Sequence, residues 1–582
     1  MMTDNMVDKV IETDVLVIGG GLGGPFAALF ASEGGARVVL LEKADVRRSG
    51  AAGMGLGGWH QLLLPHMKLD DVAEDLTTSR RTLLGTVGYL PNMKGLIDEN
   101  LIYVGYKDNW EAVRALERWG QTMKWDDEGY YFVVTHLMND TMYFHGKDLK
   151  KVLASQLKKS PVTVLERTMG VDLLTKDGVI AGATALNVRT GEFMVIKAKA
   201  VVLATGTISR IFNPFLVTAQ GRFRMLYNYH AGSGDGAAMA FRVGAEFINF
   251  EVGGAGAYVD GTRCEKVPSY IASSGARIYD AYGQRLKWEK CLGGLSTATQ
   301  YKLEREGRTP CFWDAAEFPD SWHLSMAGEA YPKGVRPVKP GKDECQPIVA
   351  KYIKERGYDT RKDKFEILHF KPEHNVIFAG VLYDEDGQTN VTRLYAAGDM
   401  TGGSTFMGAA QAAVFGMRAG KHILANLSKM NQVAIDENQV AKQKEMVFAP
   451  KKVERGVEPL EVEIKIRDIV ERYCGPERSE GSINQGLWRL RQVRDRFLTQ
   501  LVARDNHELM SVQEVRNLFL MAEAHMVCAR ERQESGTNTY RLDCPDKSDA
   551  PWEKAIIARL ENNDIQISRR RMPELKPEYR RK

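Results

Sequence analysis

The chain has 582 residues, of which 44% are hydrophobic and 26% charged, a balance that is typical of globular proteins and excludes disordered and fibrous classes. Its 79 Lys and Arg residues nearly cancel 75 Asp and Glu residues, and the small basic excess is spread along the chain. We therefore expect no nucleic-acid partner. The 55 glycines are an unusually large number, which indicates close approach of the backbone to a ligand.

The cysteines, the N-terminus and the uncharged stretches bear on the cellular compartment and on membrane association. Seven widely spaced cysteines without a C-x-x-C pair predict no disulfide framework, no metal site and no iron–sulfur cluster in this chain, so we expect a reducing, cytoplasmic compartment. The N-terminus lacks the basic and apolar parts of a secretory signal. Val15–Ser32 and Met400–Met417 are long enough to cross a membrane, but glycines interrupt both, so no membrane span is predicted.

The first structural signal along the chain is a βαβ unit. Thr13–Ile18 is a short apolar run rich in β-branched residues, and it leads through a glycine-rich turn into an alanine-rich segment. A second apolar run follows at Arg37–Leu41. This order predicts two parallel strands joined by a helix, the unit on which dinucleotides bind.

The turn after the first strand carries the dinucleotide pattern G-x-G-x-x-G. Gly19, Gly21 and Gly24 stand where a tight turn, a close pyrophosphate and a close helix–strand contact leave no room for a side chain. Glu42, at the end of the second strand, is placed to bind a ribose hydroxyl. These residues predict a dinucleotide site, but they do not separate NAD from FAD.

Three later motifs favour FAD, and together they resemble the fumarate reductase and succinate dehydrogenase flavoprotein superfamily. A-T-G at 204–206 resembles the strand end that passes the flavin, G-S-G-D-G at 232–236 resembles the T-G-D-G helix start, and L-Y-A-A-G-D at 394–399 resembles the ribitol-binding motif. A helix after Gly408 would direct its N–H groups at the flavin. The resemblance implies these additional FAD-binding residues: Thr205, Gly206, Asp235, Gly398, Asp399, Met407, Gly408 and Ala409.

The segment after the second strand indicates a branch of that superfamily. Most quinone-linked members bond FAD covalently through the histidine of an R-S-H motif, whereas this chain has Gly50 at that position. We therefore predict noncovalent FAD. R-S-G followed by A-x-x-M-G-L, together with segments at 502–510, 522–525 and 540–545, resembles the alpha subunit of adenylylsulfate reductase. This resemblance adds the following expected FAD-binding residues: Lys43, Arg48, Ser49, Gly50, Met54 and Gly55.

The candidate catalytic groups are three histidines near the matched motifs, His60, His374 and His145, of which we rank the first two higher. Histidine titrates near neutral pH, so each could exchange a proton while hydride passes to or from the flavin. The arginines that sulfate or dicarboxylate substrates need are not found in Phe250–Gly261 or Leu295–Tyr301. The substrate class therefore stays open.

The resemblance implies an FAD-dependent oxidoreductase that transfers hydride or electrons between a small-molecule substrate and a ferredoxin-like iron–sulfur subunit. In that hetero-oligomer the 4Fe-4S clusters would lie only in the partner. The alternatives are an adenylylsulfate/sulfite-type or fumarate-type reductase, or a non-catalytic FAD-fold binding protein. A nicotinamide-dependent disulfide reductase is excluded because a second dinucleotide turn and a redox cysteine pair are missing from the sequence.

The predicted fold class is α/β, with a Rossmann-like FAD-binding domain, an inserted α+β capping domain and a C-terminal helical domain. The predicted boundaries are 8–224 and 366–430 for the two parts of the FAD-binding domain, 225–365 for the capping and substrate domain, 431–540 for the helical domain, and 541–582 for an extended basic arm.

Two local patterns add detail to the C-terminal third. Ser482–Arg504 carries an apolar stripe at helical spacing, and Ser511 with Glu514 fits a capping box at the start of a further helix. The last forty residues contain prolines and the cationic stretches Arg569–Arg571 and Arg580–Lys582. We expect this arm to stay mobile unless a partner surface holds it.

Overall fold

The computed structural model describes residues 7–60, 95–125, 127, 129–133, 141–217, 223–225, 231–254, 257–259, 277–287, 295, 297–317, 355–369, 373–374, 378–404, 408–535, 540–545 and 554–579. Met407 and the terminal cationic stretch Arg580–Lys582 lie outside the described residues.

The α-helices of the described ranges are α1 Gly23–Glu33, α2 Glu99–Lys107, α3 Asn109–Arg118, α4 Leu149–Lys159, α5 Asp235–Arg242, α6 Thr297–Arg305, α7 Gly408–Asn426, α8 Glu437–Phe448, α9 Pro459–Cys474, α10 Glu480–Val493 and α11 Asn506–Glu531.

The strands of the N-terminal half are β1 Lys9–Glu12, β2 Val15–Ile18, β3 Val38–Glu42, β4 Leu56–His60, β5 Tyr131–Val133, β6 Thr141–Gly146, β7 Thr163–Glu166, β8 Thr168–Lys176, β9 Val179–Asn187, β10 Phe193–Lys197, β11 Ala200–Leu203, β12 Phe215–Val217, β13 Phe223–Met225, β14 Phe247–Ile248, β15 Gly253–Gly254 and β16 Ala257–Val259. Those that follow are β17 Arg277–Tyr279, β18 Arg285–Leu286, β19 Cys311–Asp314, β20 Lys364–His369, β21 Glu373–His374, β22 Gly380–Leu382, β23 Leu394–Ala396, β24 Thr401–Gly402, β25 Glu477–Arg478, β26 Tyr540–Arg541, β27 Ala555–Glu561 and β28 Asp564–Arg570.

A five-stranded parallel sheet in the order β23-β11-β2-β3-β7 carries the predicted βαβ unit. Strands β2, β3 and β11 are buried along their whole length, which explains their nearly continuous apolar sequences. Helices α1 and α7 pack closely on one another, because Gly416 and Gly420 present no side chain to the backbone of α1. Because β2, β11 and β23 are neighbouring parallel strands, their carboxyl ends lie side by side, next to the first turn of α1.

The capping region contains a five-stranded antiparallel sheet in the order β16-β20-β19-β17-β18, together with helix α6. These elements fit the predicted α+β insertion. Strand β14 also lies within the predicted insertion, but it pairs with β22 and β27, which come from other parts of the chain. The exact domain boundaries stay predictions.

The predicted C-terminal helical domain is present, which agrees with the predicted fold class. Its helices begin at residues other than the predicted ones. Helix α11 begins after Asp505, whose side chain accepts a hydrogen bond from the N–H of Glu508, so Ser511 is inside the helix and the capping box predicted there is wrong. The capping box lies instead at the start of α10, between Ser479 and Ser482. The apolar stripe packs α10 against α9 and α11, with Ile483 and Leu490 fully buried.

The predicted C-terminal arm differs most from the structure. Strands β27 and β28 form a hairpin that extends the sheet β24-β22-β14-β27-β28, and Ile557 is buried on it. After the hairpin, the chain packs on helix α2, where the rings of Tyr579 and Tyr103 stack with centroids 4.1 Å apart. The expectation of a mobile arm is therefore wrong for the described part of this segment, because backbone pairing and buried apolar residues fix it to its own chain.

Among the helices of the described ranges, none has both the length and the apolar composition that crossing a membrane requires.

Candidate functional site

The dinucleotide turn joins β2 to α1 and has the geometry that its glycines predict. Gly19 has φ +111°, a conformation that favours glycine, and a Cβ built on it or on Gly24 would overlap backbone oxygen atoms. Gly21 is different, because nothing lies within 4 Å of a Cβ built there. The turn is therefore closed by Gly19 and Gly24, whereas Gly21 faces open space in which a pyrophosphate can lie.

Glu42 supports this turn from the end of β3. Its carboxylate accepts hydrogen bonds from the backbone N–H groups of Gly20, at 2.8 Å, and Ala44, at 2.7 Å. The ribose-binding role expected for Glu42 from the sequence stays a prediction. The structure adds that the same buried carboxylate fixes the conformation of the turn.

The loop after β3 lies against the turn. A Cβ built on Gly50 would come within 3.0 Å of the Cα of Gly21, and the hydroxyl of Ser49 donates to the carbonyl oxygen of Gly20 at 3.2 Å. Gly50 and Gly55 have φ of +77° and +92°, both in the range that favours glycine. The Met54 side chain between them is 96% exposed, and Arg48 is also exposed. Gly50 therefore lies beside the open space at Gly21.

The strand ends of β11 and β23 supply the next part of the site. Thr205 Oγ accepts a hydrogen bond from the N–H of Gly236 at 3.2 Å, which joins the A-T-G strand end to the start of α5. Gly206 has φ +80° and, like Gly21, has nothing within 4 Å of a built Cβ. Gly398 has φ +79° and turns the chain directly before Asp399.

Asp399, directly after the turn at Gly398, is a polar group of the site whose carboxylate is not satisfied by the described residues. Among the described residues, none forms a hydrogen bond or an ion pair with its carboxylate. Burial raises the pKa of Asp399 to about 6. A carboxylate in this state needs donors, and ribitol hydroxyls are donors of the right kind. Gly408 and Ala409 lie nearby in sequence, in the first turn of α7.

Lys43 and Asp235 belong to an ion cluster, which we define as Lys43, Asp235, Glu514, Arg210 and Glu463. Its three carboxylates are buried and its two cations are partly buried. The Lys43 ammonium lies 2.8 Å from the carboxylate of Asp235 and 2.5 Å from that of Glu514. The Arg210 guanidinium bridges Glu514 and Glu463, and it lies 2.6 Å from each of these carboxylates. The cluster thus joins the end of β3 and the start of α5 to helices α9 and α11 of the helical domain.

The charges of the ion cluster hold one another in the ionised state. Burial is the largest single effect and would lower the pKa of Lys43 and raise that of Asp235, but the ion pairs and hydrogen bonds of each group together outweigh it. The pKa of Lys43 is therefore raised and that of Asp235 lowered. Direct FAD binding by these two residues stays a prediction. The role of Glu514 was missed, because its spacing from Ser511 resembled a capping box.

Lys150, the second residue of α4, was not identified from the sequence. Its side chain reaches the dinucleotide turn, where the ammonium donates to the carbonyl oxygens of Gly20 and, at 2.6 Å, Gly21. Only 3% of the residue is exposed. A lysine on a predicted helix carries no local signal that distinguishes it from a solvent-exposed neighbour such as Lys151.

The three candidate histidines are not brought together by the pairing of their strands. His60 pairs with Thr141, whereas His145 lies beside the opposite end of the same ladder, about 13 Å along the strands at about 3.3 Å per residue. The exposed His145 ring stacks on Trp125 and contacts its carbonyl oxygen at 3.1 Å. For His374 the structure describes only the backbone, which pairs with Gly253. Their catalytic roles stay predictions.

Two models of known protein families match this chain. Residues 14–413 match the model of the FAD binding domain, and residues 463–581 match that of the fumarate reductase flavoprotein C-terminal region. The site residues described above from Gly19 to Ala409 fall within the first match.

Similar proteins include a fumarate reductase (CoM/CoB) chain of Methanothermobacter marburgensis, which is 23% identical over 95% of this chain and 98% of its own. The L-aspartate oxidase of Vibrio cholerae is 24% identical over 93% and 97% of the two chains. Among solved structures, adenylylsulfate reductase from Archaeoglobus fulgidus aligns with a TM-score of 0.79 at 21% identity over 99% and 98% of the chains. This last similarity shows a shared fold.

Three features fit FAD: the open space at Gly21 and Gly206, the dinucleotide turn, and the Asp399 carboxylate, which has no partner among the described residues. The family match covers the same residues. The chain therefore belongs to the FAD-binding fumarate reductase and succinate dehydrogenase flavoprotein family and is an FAD-dependent oxidoreductase of that family.

Proposed function

We propose that this chain is a flavoprotein subunit that holds FAD without a covalent bond and exchanges electrons between a small-molecule substrate and a separate ferredoxin-like iron–sulfur subunit. The observation that carries the noncovalent assignment is the contact between Gly50 and the turn. A Cβ at residue 50 would approach the Cα of Gly21 to 3.0 Å. No side chain projects from this position toward the flavin, and an imidazole for the covalent bond is missing.

Several groups of this chain would hold the cofactor. The turn at Gly21 would receive the pyrophosphate, the Asp399 carboxylate would accept hydrogen bonds from the ribitol, and the N-terminal turn of α7 would offer backbone N–H groups to the flavin ring. When bound, FAD supplies hydride and single-electron transfer. The helix N-terminus favours negative charge beside it, so α7 would stabilise the reduced, anionic form of the ring.

Proton exchange with the substrate is assigned to His60 and His374. His60 ends β4, and its backbone carbonyl accepts a hydrogen bond from Asn109 Nδ2 at 2.6 Å, which fixes the strand end. Trp59, the residue before it, is fully buried and donates to Asn109 Oδ1, so it acts as a packing residue at this end of β4. His145 ranks lower because its exposed ring is stacked on Trp125.

The separate electron partner is supported by the sequence and by the name of a relative. All seven cysteines are widely spaced in sequence and none forms a C-x-x-C pair. The Methanothermobacter relative is named as one of the subunits of a fumarate reductase. We therefore place the 4Fe-4S clusters in a second chain of a hetero-oligomer.

Two measurements on the natively purified protein test this function. Acid precipitation should release yellow flavin into the supernatant, and flavin that stays on the denatured chain would refute the noncovalent assignment. The visible spectrum of the native complex should show flavin bands with a broad iron–sulfur shoulder from a co-purifying small chain. A single-chain preparation that turns over substrate with a soluble electron acceptor at the full rate of the native preparation would refute the partner assignment.

The substrate class is then found by screening. Fumarate, aspartate and adenylylsulfate come from the names of the relatives, and sulfite comes from the alternative predicted from the sequence. Oxidants are added to the reduced protein and reductants to the oxidised protein, and flavin absorbance is followed. Reoxidation or bleaching by one member of the panel identifies the class, and a preparation that stays colourless at every stage would favour the non-catalytic alternative.

A further inference from the structure

Lys150 occupies an unusual position for a lysine. It lies at the start of α4 with 3% of its surface exposed, and its ammonium group reaches the two peptide carbonyls that form the dinucleotide turn, those of Gly20 and Gly21. The same Gly20 residue donates its N–H to Glu42 on the other side. The turn is thus held between a buried carboxylate and a buried ammonium group.

The ammonium group has unused binding capacity. It carries three N–H donors, of which two meet the carbonyl oxygens, and no described residue accepts the third. No carboxylate of the described residues forms an ion pair with it either, in contrast to Lys43 in the ion cluster. A buried cation without a bonded counter-ion is costly, so the site favours an anion that brings its own negative charge.

Within the part of the chain that the structure describes, two charged groups act on the ammonium, Glu42 and Asp45. Glu42 ends β3, and Asp45 lies in the loop after it. Both carboxylates are engaged elsewhere, since Glu42 accepts from two backbone N–H groups and Asp45 accepts from Arg47. The first turn of α1 has no acidic residue, and the 3-10 turn Ala51–Met54 contains no titratable one.

We infer that Lys150 is a cofactor-positioning residue whose buried ammonium group pairs with the pyrophosphate of FAD at the dinucleotide turn. The open space at Gly21 lies directly beside the carbonyl to which the ammonium is bound. A pyrophosphate that enters this space takes the third N–H and supplies the missing negative charge. Lys150 thereby contributes a charge-assisted hydrogen bond in addition to the helix N-terminus of α1.

The protonation state of Lys150 makes this role pH-dependent. Burial lowers the pKa of Lys150 to about 8 in the cofactor-free protein, with only a partial opposing effect from Glu42 and Asp45. A bound pyrophosphate stabilises the protonated amine and raises that pKa. Near pH 7 the amine is protonated in both states, so pH has little effect on FAD affinity. Between about pH 8 and the higher pKa of the complex, FAD binding takes up a proton and weakens as pH rises.

The test is FAD titration of the full-length apoprotein at pH 7 to 9.5, with Lys150→Met as the variant and Lys151→Met as the control. Lys151 lies on the same helix, but its side chain is 73% exposed and pairs with Asp148. Lys150→Met should raise the FAD Kd about 10 to 100 fold at pH 7, the effect of losing one charge-assisted hydrogen bond. Wild type and Lys151→Met should show a Kd that rises above pH 8, by up to about tenfold per pH unit.

A second readout separates this role from a structural one. Calorimetry in buffers of different ionisation enthalpy should detect proton uptake on FAD binding at pH 8.5 in wild type and none in Lys150→Met. A variant that folds, binds FAD with a Kd within threefold of wild type and keeps the proton uptake would overturn the inference. If Lys150→Met fails to fold, Lys150→Arg serves instead, because it keeps the charge and should lose the pH dependence while retaining affinity.

The FAD titration rests on the proposed noncovalent binding. A failure of the proposed function and a failure of the role of Lys150 nevertheless give different results. Flavin that remains on the acid-denatured wild-type chain refutes the proposed function alone. In that case FAD incorporated per chain, compared between Lys150→Met and Lys151→Met, tests Lys150, and equal incorporation overturns its role.

Discussion

A methyl group at Gly21 should weaken FAD binding without disturbing the fold. In Gly21→Ala, the new Cβ has nothing within 4 Å and the backbone conformation is an ordinary one, so the apoprotein needs no rearrangement. A Gly→Ala change at such a site stabilises a protein by about 0.4–1 kcal/mol. Gly24→Ala is the matched control, because its Cβ would overlap the carbonyl oxygen of Gly19 and the fold itself must shift.

The expected losses follow from these two environments. In Gly21→Ala the methyl group displaces the pyrophosphate from the turn, and each lost charge-assisted hydrogen bond costs about 1.5–3 kcal/mol, or about 10 to 100 fold in FAD affinity. Gly24→Ala should lose about 1–3 kcal/mol in the free energy of unfolding, as overpacked buried sites do. Gly21→Val should bind FAD more weakly than Gly21→Ala, since it occupies more of the same space.

The assay combines the thermal midpoint of the apoprotein with FAD titration by fluorescence quenching. Gly21→Ala should keep or raise the midpoint and lose affinity, whereas Gly24→Ala should lower the midpoint. A Gly21→Ala protein with the wild-type Kd would show that the pyrophosphate does not lie at Gly21. A Gly21→Ala protein that is destabilised as strongly as Gly24→Ala would contradict the open geometry of the turn.

Two further predictions concern the opposite edge of the site and the C-terminal hairpin. Asp399, with a pKa of about 6, should accept ribitol hydrogen bonds more strongly when it is ionised, so the FAD Kd of wild type should rise as pH falls from 7 to 5. Asp399→Asn should bind weakly at both pH values, and an equal pH slope in the two proteins would contradict this assignment. Removal of residues 565–582 deletes all but the first residue of β28 and the ring stack of Tyr579 on Tyr103, so it should lower the thermal midpoint; a midpoint equal to that of wild type would show that the hairpin contributes nothing to stability.

Local sequence patterns predicted the core of the cofactor domain correctly, because each pattern lies within one short segment. The apolar runs became β2 and β3, and Gly19 and Gly24 close the turn between β2 and α1. Asp399 follows β23 as expected. Such patterns work because strand burial, glycine conformation and helix starts depend mainly on neighbouring residues.

The C-terminal hairpin had a local signal that was missed in the sequence. Residues 558–561 and 564–568 alternate apolar and polar positions on either side of Asn562 and Asn563, and both asparagines have positive φ, at 50° and 65°, as in a two-residue hairpin turn. The nearby prolines and arginines favoured an extended arm instead. The hairpin became recognisable as part of the fold only through its pairing with β14, which lies about 300 residues earlier.

The sequence by itself determined the family, the cofactor and the residues of the turn, since contiguous motifs identify all three. Only the tertiary structure showed that Lys150 reaches Gly20, 130 residues away, and that Glu514 pairs with Lys43 across 471 residues. A buried charge is stabilised when a distant segment of the chain supplies its partner. The residues next to the charge in sequence do not identify that segment. The electrostatic environment of the cofactor site was therefore decided by chain folding, whereas its backbone was already specified by the glycines and apolar runs.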